Sequence, residues 1–403
     1  MRIVQKFGGT SLGDLELLQA VADQVHHTVR QGHTVVVVVS AMGHTTDELI
    51  HRALVVDGRT SPGNLDFLLM TGEMQSAALM AMALSHRGTP AQAVSGAQAG
   101  IATTREFGQS RIVDVSPVFL ERLIAEGITP VVTGFQGVAA DGSYTTLGRG
   151  GSDLTAIALA SALDADSCEI YSDVPGVFTA DPRMVPQAKA LTQLSYDEML
   201  ELASQGAQVL QTQAVLYARE SQVTVKARST FESMPGTRID TGTDEPAHPV
   251  TAVALDMHVT KIGLVGVPDR PGVAALACER LASAGINIDL VFQALSHHNS
   301  RADIALTVAD DDRREAIQVC QKSLGELSGD ALVVDGDIAK VSVVGAGVRN
   351  HAGVAATVFR ALADASINIQ MISTSEIKIS CIVARTDATR ALNHIHDAFG
   401  LDA

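Results

Sequence analysis

Hydrophobic and polar positions alternate in blocks through the first half of the chain, and the blocks have the lengths of strands and helices. The segment RIVQKF, at residues 2–7, suits a strand, and HTVVVVVSAMG, at 33–43, contains a β-branched run that suits a strand buried on both faces. Between them, residues 15–32 have helical periodicity and end in a glycine. Strands that alternate with helices in this way predict an α/β fold with a mainly parallel central sheet and helices on both faces.

The second half contains a duplicated segment. RPGVAALACERLASAGINIDLV, at 270–291, aligns with NHAGVAATVFRALADASINIQMI, at 350–372. Each copy has a Gly-Val pair that opens a helical run and an INI strand that follows it, and the predicted order in each copy is βαββαβ, a ferredoxin-like unit. A stretch rich in proline, glycine and acids at 234–250 indicates a linker before the first copy. The predicted domains cover residues 1–243, 244–330 and 331–403.

Charge and composition argue against several classes of partner and ligand. The 403 residues carry a formal net charge of −16, so we expect no nucleic acid partner, because the phosphate backbone requires a basic surface. The cysteines Cys168, Cys278, Cys320 and Cys381 follow no metal-ligand spacing. Reduced thiols in a cytoplasmic protein are therefore expected. We find no secretory signal and no apolar run of about 20 residues, so no membrane association is expected either.

Two glycine-rich turns are candidates for binding anions. KFGGTS, at 6–11, follows the first predicted strand, where ligands bind in parallel sheets. It matches neither the P-loop nor the dinucleotide fingerprint, but its glycines let backbone N–H groups approach an anion, and Lys6 adds a positive charge. TTLGRGGSDLTA, at 145–156, places Arg149 among three glycines before a helix. A tight turn with a solvated lysine and an ordinary loop remain the structural alternatives.

Other polar residues lie near these turns in the predicted topology. Ser40 and Thr45 follow the second strand, Glu73 is predicted near a helix start, and YSDVPGVFTADPR, at 171–183, follows a later strand. Each has a structural alternative: the hydroxyls could cap a helix, Glu73 could be a first-turn acid favoured by the helix dipole, and the loop could be merely polar. We find no nucleophile–base triad. Two anion-binding turns with an arginine favour phosphoryl transfer, which depends on positioning and charge neutralisation.

Several motifs of the chain are similar to those of a known family. KFGGTS, VSAMGHTTDELI, LLMTGE, TTLGRGGSD and YSDVPGVFTADPR, followed by the duplicated segment, resemble the aspartokinase family of the amino acid kinase superfamily over essentially the whole chain. NIQMISTSEIKIS, in the second copy, is similar to the ACT-domain signature of these enzymes. The resemblance implies an amino acid kinase fold followed by two ACT domains. It also implies transfer of the ATP γ-phosphoryl group to the side-chain carboxylate of L-aspartate with Mg2+, the first step of lysine, threonine and methionine biosynthesis.

The resemblance also implies roles for individual residues. Lys6 is expected to neutralise the transferring phosphoryl group, and Asp153 to order Lys6 and the substrate. The positions expected to hold the nucleotide are Lys6, Gly8, Gly9, Thr10, Ser172, Asp173, Phe178, Asp181, Arg183 and Gln208. The positions expected to contact aspartate are Ser40, Thr45, Glu73, Arg149, Gly150, Gly151 and Ser152. Among these, Glu73 is expected to take the substrate ammonium and Arg149 a substrate carboxylate.

Feedback regulation through the ACT domains is also implied, with lysine, threonine, both or neither as effector, together with a homodimer or higher homo-oligomer. The positions expected to bind the effector are Asp269, Gly272, Val273, Ala274, Asn287, Ile288, Asp289 and Gln293. Two positions depart from the family pattern: Ala294 replaces a polar residue, and Gln208 replaces a lysine that contacts nucleotide phosphate. Gln208 leaves one alternative open, an amino-acid-sensing paralogue with weakened kinase activity. A kinase acting on glutamate or acetylglutamate is disfavoured by the tandem ACT domains.

Overall fold

The computed structural model describes residues 1–58, 61–206, 209–242, 248–295, 301–349 and 351–402. The chain divides into two compact units, which we describe separately. The first comprises Met1–Val177 and Ala190–Asp244, and the second comprises Phe178–Lys189 and Glu245–Ala403. The boundary that the sequence predicts between residues 243 and 244 falls outside the described residues, so the domain limits stay a prediction.

The strands of the first unit form a large and a small sheet. They are β1 (Arg2–Phe7), β2 (Thr34–Val39), β3 (Ala91–Val94), β4 (Ile101–Thr103), β5 (Ile112–Val115), β6 (Thr129–Thr133), β7 (Gln136–Ala139), β8 (Tyr144–Thr146), β9 (Ser167–Ser172), β10 (Gln193–Ser195), β11 (Val225–Ser229) and β12 (Thr237–Asp240). The large sheet has the order β10-β12-β11-β9-β1-β2-β6-β3, and the small one β5-β4-β7-β8. From β11 to β3 every pairing is parallel, whereas β11 and β12 are antiparallel. The predicted mainly parallel sheet is confirmed.

Helices cover the large sheet, and their sequences explain where they begin. They are α1 (Leu15–Arg30), α2 (Thr45–Val56), α3 (Pro62–His86), α4 (Val118–Ala125), α5 (Gly151–Ala162), α6 (Tyr196–Ser204) and α7 (Thr212–Ser221). The Asp14 carboxylate caps α1 by accepting a hydrogen bond from the Leu17 N–H at 2.8 Å. Ser195 and Glu198 form a reciprocal capping box at the start of α6. These local signals are readable in the sequence.

Helices α5 and α3 differ in how far they are buried. Helix α5 is buried at every position from 151 to 160, and its small side chains let it lie close to the strands around it. Helix α3 is long and apolar enough to cross a membrane by length and composition alone. It nevertheless buries two carboxylic residues, Asp66 and Glu73, and packs against β3 and β6. We therefore describe α3 as a core helix of the first unit.

The second unit contains two antiparallel four-stranded sheets. Its strands are β13 (Ala252–Asp256), β14 (Val259–Pro268), β15 (Val291–Leu295), β16 (Arg301–Ala309), β17 (Ala331–Asp335), β18 (Ile338–Val344), β19 (Met371–Thr374) and β20 (Lys378–Ala384). Its helices are α8 (Val273–Ser283), α9 (Arg313–Glu326), α10 (Val354–Asp364) and α11 (Ala388–Ala398). The sheet orders are β15-β16-β14-β17 and β13-β18-β20-β19. Both sheets have the strand arrangement of a ferredoxin-like unit.

The first copy runs β14-α8-β15-β16-α9-β17, as the sequence predicts, but the second copy takes one strand from elsewhere. Residues 399–402, after α11, form a turn, and the edge of the second sheet is occupied by β13, which precedes the first copy in the chain. β13 pairs antiparallel with β18, as β17 does with β14 in the first copy. The apolar run at 252–255 forms this edge strand, and Val253 is buried in one core with Leu392 and Ile395 of α11.

Candidate active site

The carboxyl ends of four parallel strands meet at one edge of the large sheet. After β1, the Gly8 N–H donates to the Tyr171 carbonyl at 3.1 Å on β9. After β2, the Ser40 N–H donates to the Phe7 carbonyl at 3.1 Å, and after β6, the Gly134 N–H donates to the Val39 carbonyl at 2.9 Å. These bonds bring the turns that follow β1, β2, β6 and β9 side by side, as expected for a ligand site in such a sheet.

Lys6 and Asp153 form a buried ion pair at this edge. The Lys6 Nζ lies 2.6 Å from the Asp153 Oδ1, and the two side chains are only 11% and 10% exposed. Lys6 stands near the end of β1, and Asp153 lies in the first turn of α5. A buried lysine requires a partner because desolvation penalises its charge. The two residues to which the sequence analysis gave a catalytic role are thus in direct contact.

The turn after β1 packs tightly against the turn after β2. A Cβ on Gly9 would lie 2.9 Å from the Ala41 carbonyl oxygen, and the Gly43 N–H donates to the Gly9 carbonyl at 3.0 Å. Glycine is therefore required by close backbone approach. Since the Gly8 N–H is already bonded to Tyr171, the expected backbone contact to phosphate rests on Gly9 and the exposed Thr10.

Glu73 lies buried beside the turn after β2. It is in the middle of α3, so the predicted position near a helix start is wrong. Its Oε1 accepts a hydrogen bond from the Ala41 N–H at 3.1 Å, and its Oε2 has no hydrogen-bond partner among the described residues. Burial raises the pKa of Glu73 from 4.5 to about 7, against the lowering effect of the backbone hydrogen bonds. An unpartnered buried carboxylate oxygen suits a cationic ligand.

The remaining residues of this region are placed as follows. Thr45 begins α2, and its hydroxyl donates to the Met42 carbonyl at 2.7 Å, while Ser40 is partly buried after β2. Gly72 sets how closely α3 approaches this loop, because a Cβ there would lie 2.8 Å from the Ala41 Cβ. Helix α2 therefore has no side-chain cap among the described residues, and the Thr45 hydroxyl instead bonds back to the preceding turn.

The glycine-rich segment 148–152 forms the turn that begins α5. Gly150 has φ +73° and precedes the helix in a left-handed conformation, which favours glycine. Arg149 is exposed, whereas Gly151 and Ser152 are buried. A Cβ on Gly134 would lie 2.5 Å from the Ser152 Oγ, so the turn after β6 also approaches this segment closely. The turn thus presents an arginine at the start of the helix that carries Asp153.

Sequence reasoning missed Asp66, which anchors this glycine-rich segment. Asp66 is 2% exposed in α3. Its Oδ2 accepts from the Thr146 N–H at 2.8 Å and from the Gly108 N–H at 3.0 Å, and its Oδ1 accepts from the Thr146 hydroxyl at 3.0 Å. Thr146 is the last residue of β8, two residues before Gly148. An acid within the apolar stretch LDFLLM, at 65–70, was the signal available in the sequence.

The predicted nucleotide motif at 171–183 is divided between the two units. Ser172 and Asp173 lie at the end of β9 in the first unit, whereas Phe178, Asp181 and Arg183 belong to the second unit. The Arg183 guanidinium is paired with Asp181, with Nη2 to Oδ2 at 2.7 Å, and this interaction holds the pKa of Asp181 below its usual value. Gln208 lies outside the described residues.

Hydrophobic packing explains this division. Ala180 and Val185 are buried in the core of the second unit with Val253, Leu392 and Ile395. The Val253 N–H also donates to the Thr179 carbonyl at 2.8 Å. Segment 178–189 is therefore packed and hydrogen-bonded as part of the second unit, although it is continuous in sequence with β9.

The positions expected to bind an effector lie around α8 in the second unit. Gly272 (φ +96°) precedes α8, and Gly353 (φ +111°) precedes α10, so the predicted Gly-Val helix starts are confirmed in both copies. Asp269, Asn287, Asp289 and Gln293 are exposed or partly so, Ala274 and Ile288 are partly buried, and Val273 is buried. Asp289 contacts Lys340 of the second copy at 2.5 Å, an interaction that the sequence analysis did not anticipate.

Comparison with known proteins agrees with this arrangement. The model of the amino acid kinase family matches residues 1–227, and an ACT domain model matches 262–324 and 341–399. An aspartokinase of Thermus thermophilus is 45% identical over 401 residues, which covers 99% of both chains.

Two solved structures of Escherichia coli aspartokinase III are also similar. One is in complex with aspartate and ADP in the R-state (27% identity, TM-score 0.80), and the other with lysine and aspartate in the T-state (28% identity, TM-score 0.77). Each covers 99% of both chains. From the site, the fold and the full-length similarity together, the chain belongs to the aspartokinases of the amino acid kinase family.

Proposed function

We propose that this aspartate kinase transfers the γ-phosphoryl group of ATP to the side-chain carboxylate of L-aspartate at the edge where β1, β2, β6 and β9 end. The observation that carries the proposal is the buried Lys6–Asp153 pair, with 2.6 Å between Nζ and Oδ1. Phosphoryl transfer is catalysed mainly by positioning and by charge neutralisation. Lys6 supplies the positive charge, and Asp153 fixes the direction of its ammonium group.

The substrate contacts that the resemblance implies are supported by the charges of Glu73 and Arg149. Glu73 binds the aspartate ammonium through its Oε2, which has no hydrogen-bond partner among the described residues. The exposed Arg149 pairs with an aspartate carboxylate, for which a guanidinium offers two parallel donors. Ser40, Thr45 and residues 150–152 line the same substrate.

The nucleotide is held by backbone and polar groups. Gly9 and Thr10 contact phosphate beside Lys6, and Ser172 and Asp173 contact the nucleoside after β9. The family resemblance also assigned Phe178, Asp181 and Arg183 to the nucleotide; these three belong to the second unit, and their contact with the nucleotide stays a prediction. Mg2+ accompanies ATP and neutralises phosphate charge. Within the described ranges no group of three or more His, Cys, Asp or Glu could hold a metal ion.

Regulation and assembly form the second part of the proposal. The first copy in the second unit binds an amino acid effector at the positions around α8, with lysine as the first candidate, since the T-state relative contains lysine. Threonine is the second candidate. We further infer a homo-oligomer built through the ACT domains. A cytoplasmic location is inferred as well, in line with the four cysteines, which are free thiols.

A direct assay tests the catalytic proposal. Purified chain is incubated with ATP, Mg2+ and L-aspartate, and the acyl phosphate is trapped with hydroxylamine. Formation of aspartyl hydroxamate is expected with L-aspartate, and much less product with L-glutamate or N-acetylglutamate. If the folded chain binds lysine or threonine but forms no hydroxamate, the kinase proposal fails and the sensing paralogue is supported.

A further inference from the structure

The two copies place a lysine, an aspartate and a polar residue at equivalent positions. Lys261 in β14 and Lys340 in β18 are each the third residue of their strand, in VTK and IAK. Asp289 and Gln370 each follow the INI sequence of their own copy. Each lysine also faces an aspartate directly across the neighbouring strand: Lys261 pairs with Asp335, and Lys340 with Asp256.

These residues form two crossed contacts between the copies. The Lys340 ammonium of the second copy donates to the Asp289 Oδ2 of the first copy at 2.5 Å. In the opposite direction, the Lys261 ammonium of the first copy donates to the Gln370 Oε1 of the second. Each lysine is also near its cross-strand aspartate, at 3.7 Å for Asp256 and 3.6 Å for Asp335.

Apolar and charged groups around the crossed contacts follow the same symmetry. Val259 and Ile338 open the two equivalent strands, and Leu290 and Met371 follow the two INI segments; all four are buried in one cluster with Ile382. Asp310 and Arg385, which follow β16 and β20 at equivalent positions, are paired with each other at 3.2 Å. The crossed contacts therefore belong to a packed junction between the copies.

The two crossed contacts differ in burial and in charge. The Lys340 side chain is 2% exposed and its partner is a carboxylate, whereas the Lys261 side chain is 20% exposed and its partner is an uncharged amide. Charge-assisted hydrogen bonds are stronger than neutral ones, and exclusion of water strengthens them further. Lys340 therefore holds Asp289 more firmly than Lys261 holds Gln370.

Asp289 is also one of the positions expected to bind the effector. Its N–H donates to the Thr307 carbonyl at 3.0 Å, so the backbone of this turn is tied to β16. Its side chain, 34% exposed, is tied to β18 by Lys340. The conformation of this turn in the first copy thus depends on a side chain of the second copy.

We propose that Lys340 is a positioning residue of the effector site in the first copy. It holds the Asp289 carboxylate through Oδ2 and leaves Oδ1 to the ammonium group of an amino acid effector. Binding in the first copy is thereby coupled to β18 of the second copy. This inference rests on the effector site proposed above, and it is independent of the catalytic roles of Lys6 and Asp153.

The test uses the full chain, lysine and threonine as probes, and calorimetry, with thermal melting as a check of folding. One of the two probes is chosen because the unmodified chain binds it. We expect Lys340→Met to lower the affinity for this probe by at least about tenfold, because Asp289 loses its buried partner. Lys261→Met is the matched control from the other copy, and we expect a loss of less than about threefold. Equal losses in the two variants would overturn the proposal.

Two further variants separate positioning from general destabilisation. When Lys340→Met is added to an Asp289→Asn variant, the affinity should fall by less than about twofold relative to Asp289→Asn alone, because the two residues act through one contact. An undiminished effect in that background would contradict the proposal. If Lys340→Met does not fold, Lys340→Gln keeps a donor without the charge. We expect it to weaken binding by about fivefold, and unchanged affinity would count against the proposal.

The same preparation separates this inference from the proposed function. If the unmodified chain binds neither probe, the effector site and the role of Lys340 are both rejected, while hydroxamate formation still reports on the kinase. If the probe binds and only the Lys340 variants behave otherwise than expected, the effector site stands and the role of Lys340 is rejected.

Discussion

Lys6 is a buried cation whose partner comes from a different element. Asp153 reaches it from α5 across the edge of the sheet, and the pair is about one-tenth exposed. Removing either partner leaves the other buried without its counter-charge, which typically costs about 3–5 kcal/mol. Lys6 therefore contributes to folding as well as to the proposed chemistry, and a test of its catalytic role must separate the two.

We expect Lys6→Met to lower turnover by at least about 100-fold, because the charge that develops on the transferring group loses its cation. We also expect a lower melting temperature, since the Asp153 carboxylate remains buried. The double variant Lys6→Met with Asp153→Asn should recover part of the melting temperature and none of the turnover. Near-normal turnover in either variant would contradict the role assigned to Lys6.

Glu73 gives a prediction about pH. Burial raises its pKa to about 7, so the fold favours the protonated carboxyl. The stability that this preference contributes is fully present below pH 4.5 and is lost as the pH rises through 7. Binding of an ammonium group instead favours high pH, because it requires the ionised carboxylate of Glu73.

Aspartate affinity, measured by calorimetry, should therefore fall by about tenfold between about pH 8 and about pH 6, as Glu73 takes up a proton. The Glu73→Gln variant should bind aspartate weakly over the whole range and should lose this dependence on pH. A wild-type affinity that stays constant between these values would rule out the proposed contact to the ammonium group.

At the scale of elements, the start of α5 depends on a single backbone conformation. Gly150 has φ +73°, and a Cβ there would lie 2.0 Å from the Gln211 Cγ. A substitution at this position thus has to overcome both backbone strain and a steric clash. Arg149 precedes Gly150, and Asp153 lies in the first turn of the helix, so both proposed functions of this segment depend on its geometry.

We expect Gly150→Ala to destabilise the protein by about 2–4 kcal/mol and to raise the KM for aspartate by displacing Arg149. Gly127→Ala is the matched control, because Gly127 has φ +74° but no atom of the described residues lies within 4 Å of the place that a Cβ would take. For Gly127→Ala we expect the free energy of unfolding to fall by about 1 kcal/mol and the KM for aspartate to stay unchanged. Melting curves and steady-state kinetics distinguish the two. A similar KM for both variants would refute the role of this turn.

At the scale of the whole molecule, the division of segment 171–189 between the units has a measurable consequence. Val177 belongs to the first unit, where its N–H donates to the Thr237 hydroxyl at 2.8 Å, and Val185 belongs to the core of the second unit. Both valines are buried, at 2% and 0% exposure. Their truncation to alanine therefore removes similar volume from two different cores.

We expect Val185→Ala to destabilise the second unit by about 1–3 kcal/mol and to speed amide hydrogen exchange in α11. Val177→Ala should instead speed exchange in β12 of the first unit. Hydrogen exchange with mass spectrometry follows both regions in one experiment. Faster exchange confined to first-unit peptides in the Val185→Ala variant would contradict the assignment of segment 178–189.

Local periodicity and spacing along the chain were enough to predict the parallel α/β class, the duplicated second half and the glycine-rich turn after β1. The contact between Asp153 and Lys6 was implied only by the family resemblance, and neither the residues nor the resemblance indicated that Asp66 anchors β8 or that β13 completes the sheet of the second copy. These contacts join residues far apart in the chain, and they are selected by the burial of charge and by the pairing of strand edges. Only the tertiary structure decides such contacts, since many polar and apolar segments in the sequence could satisfy the same local rules.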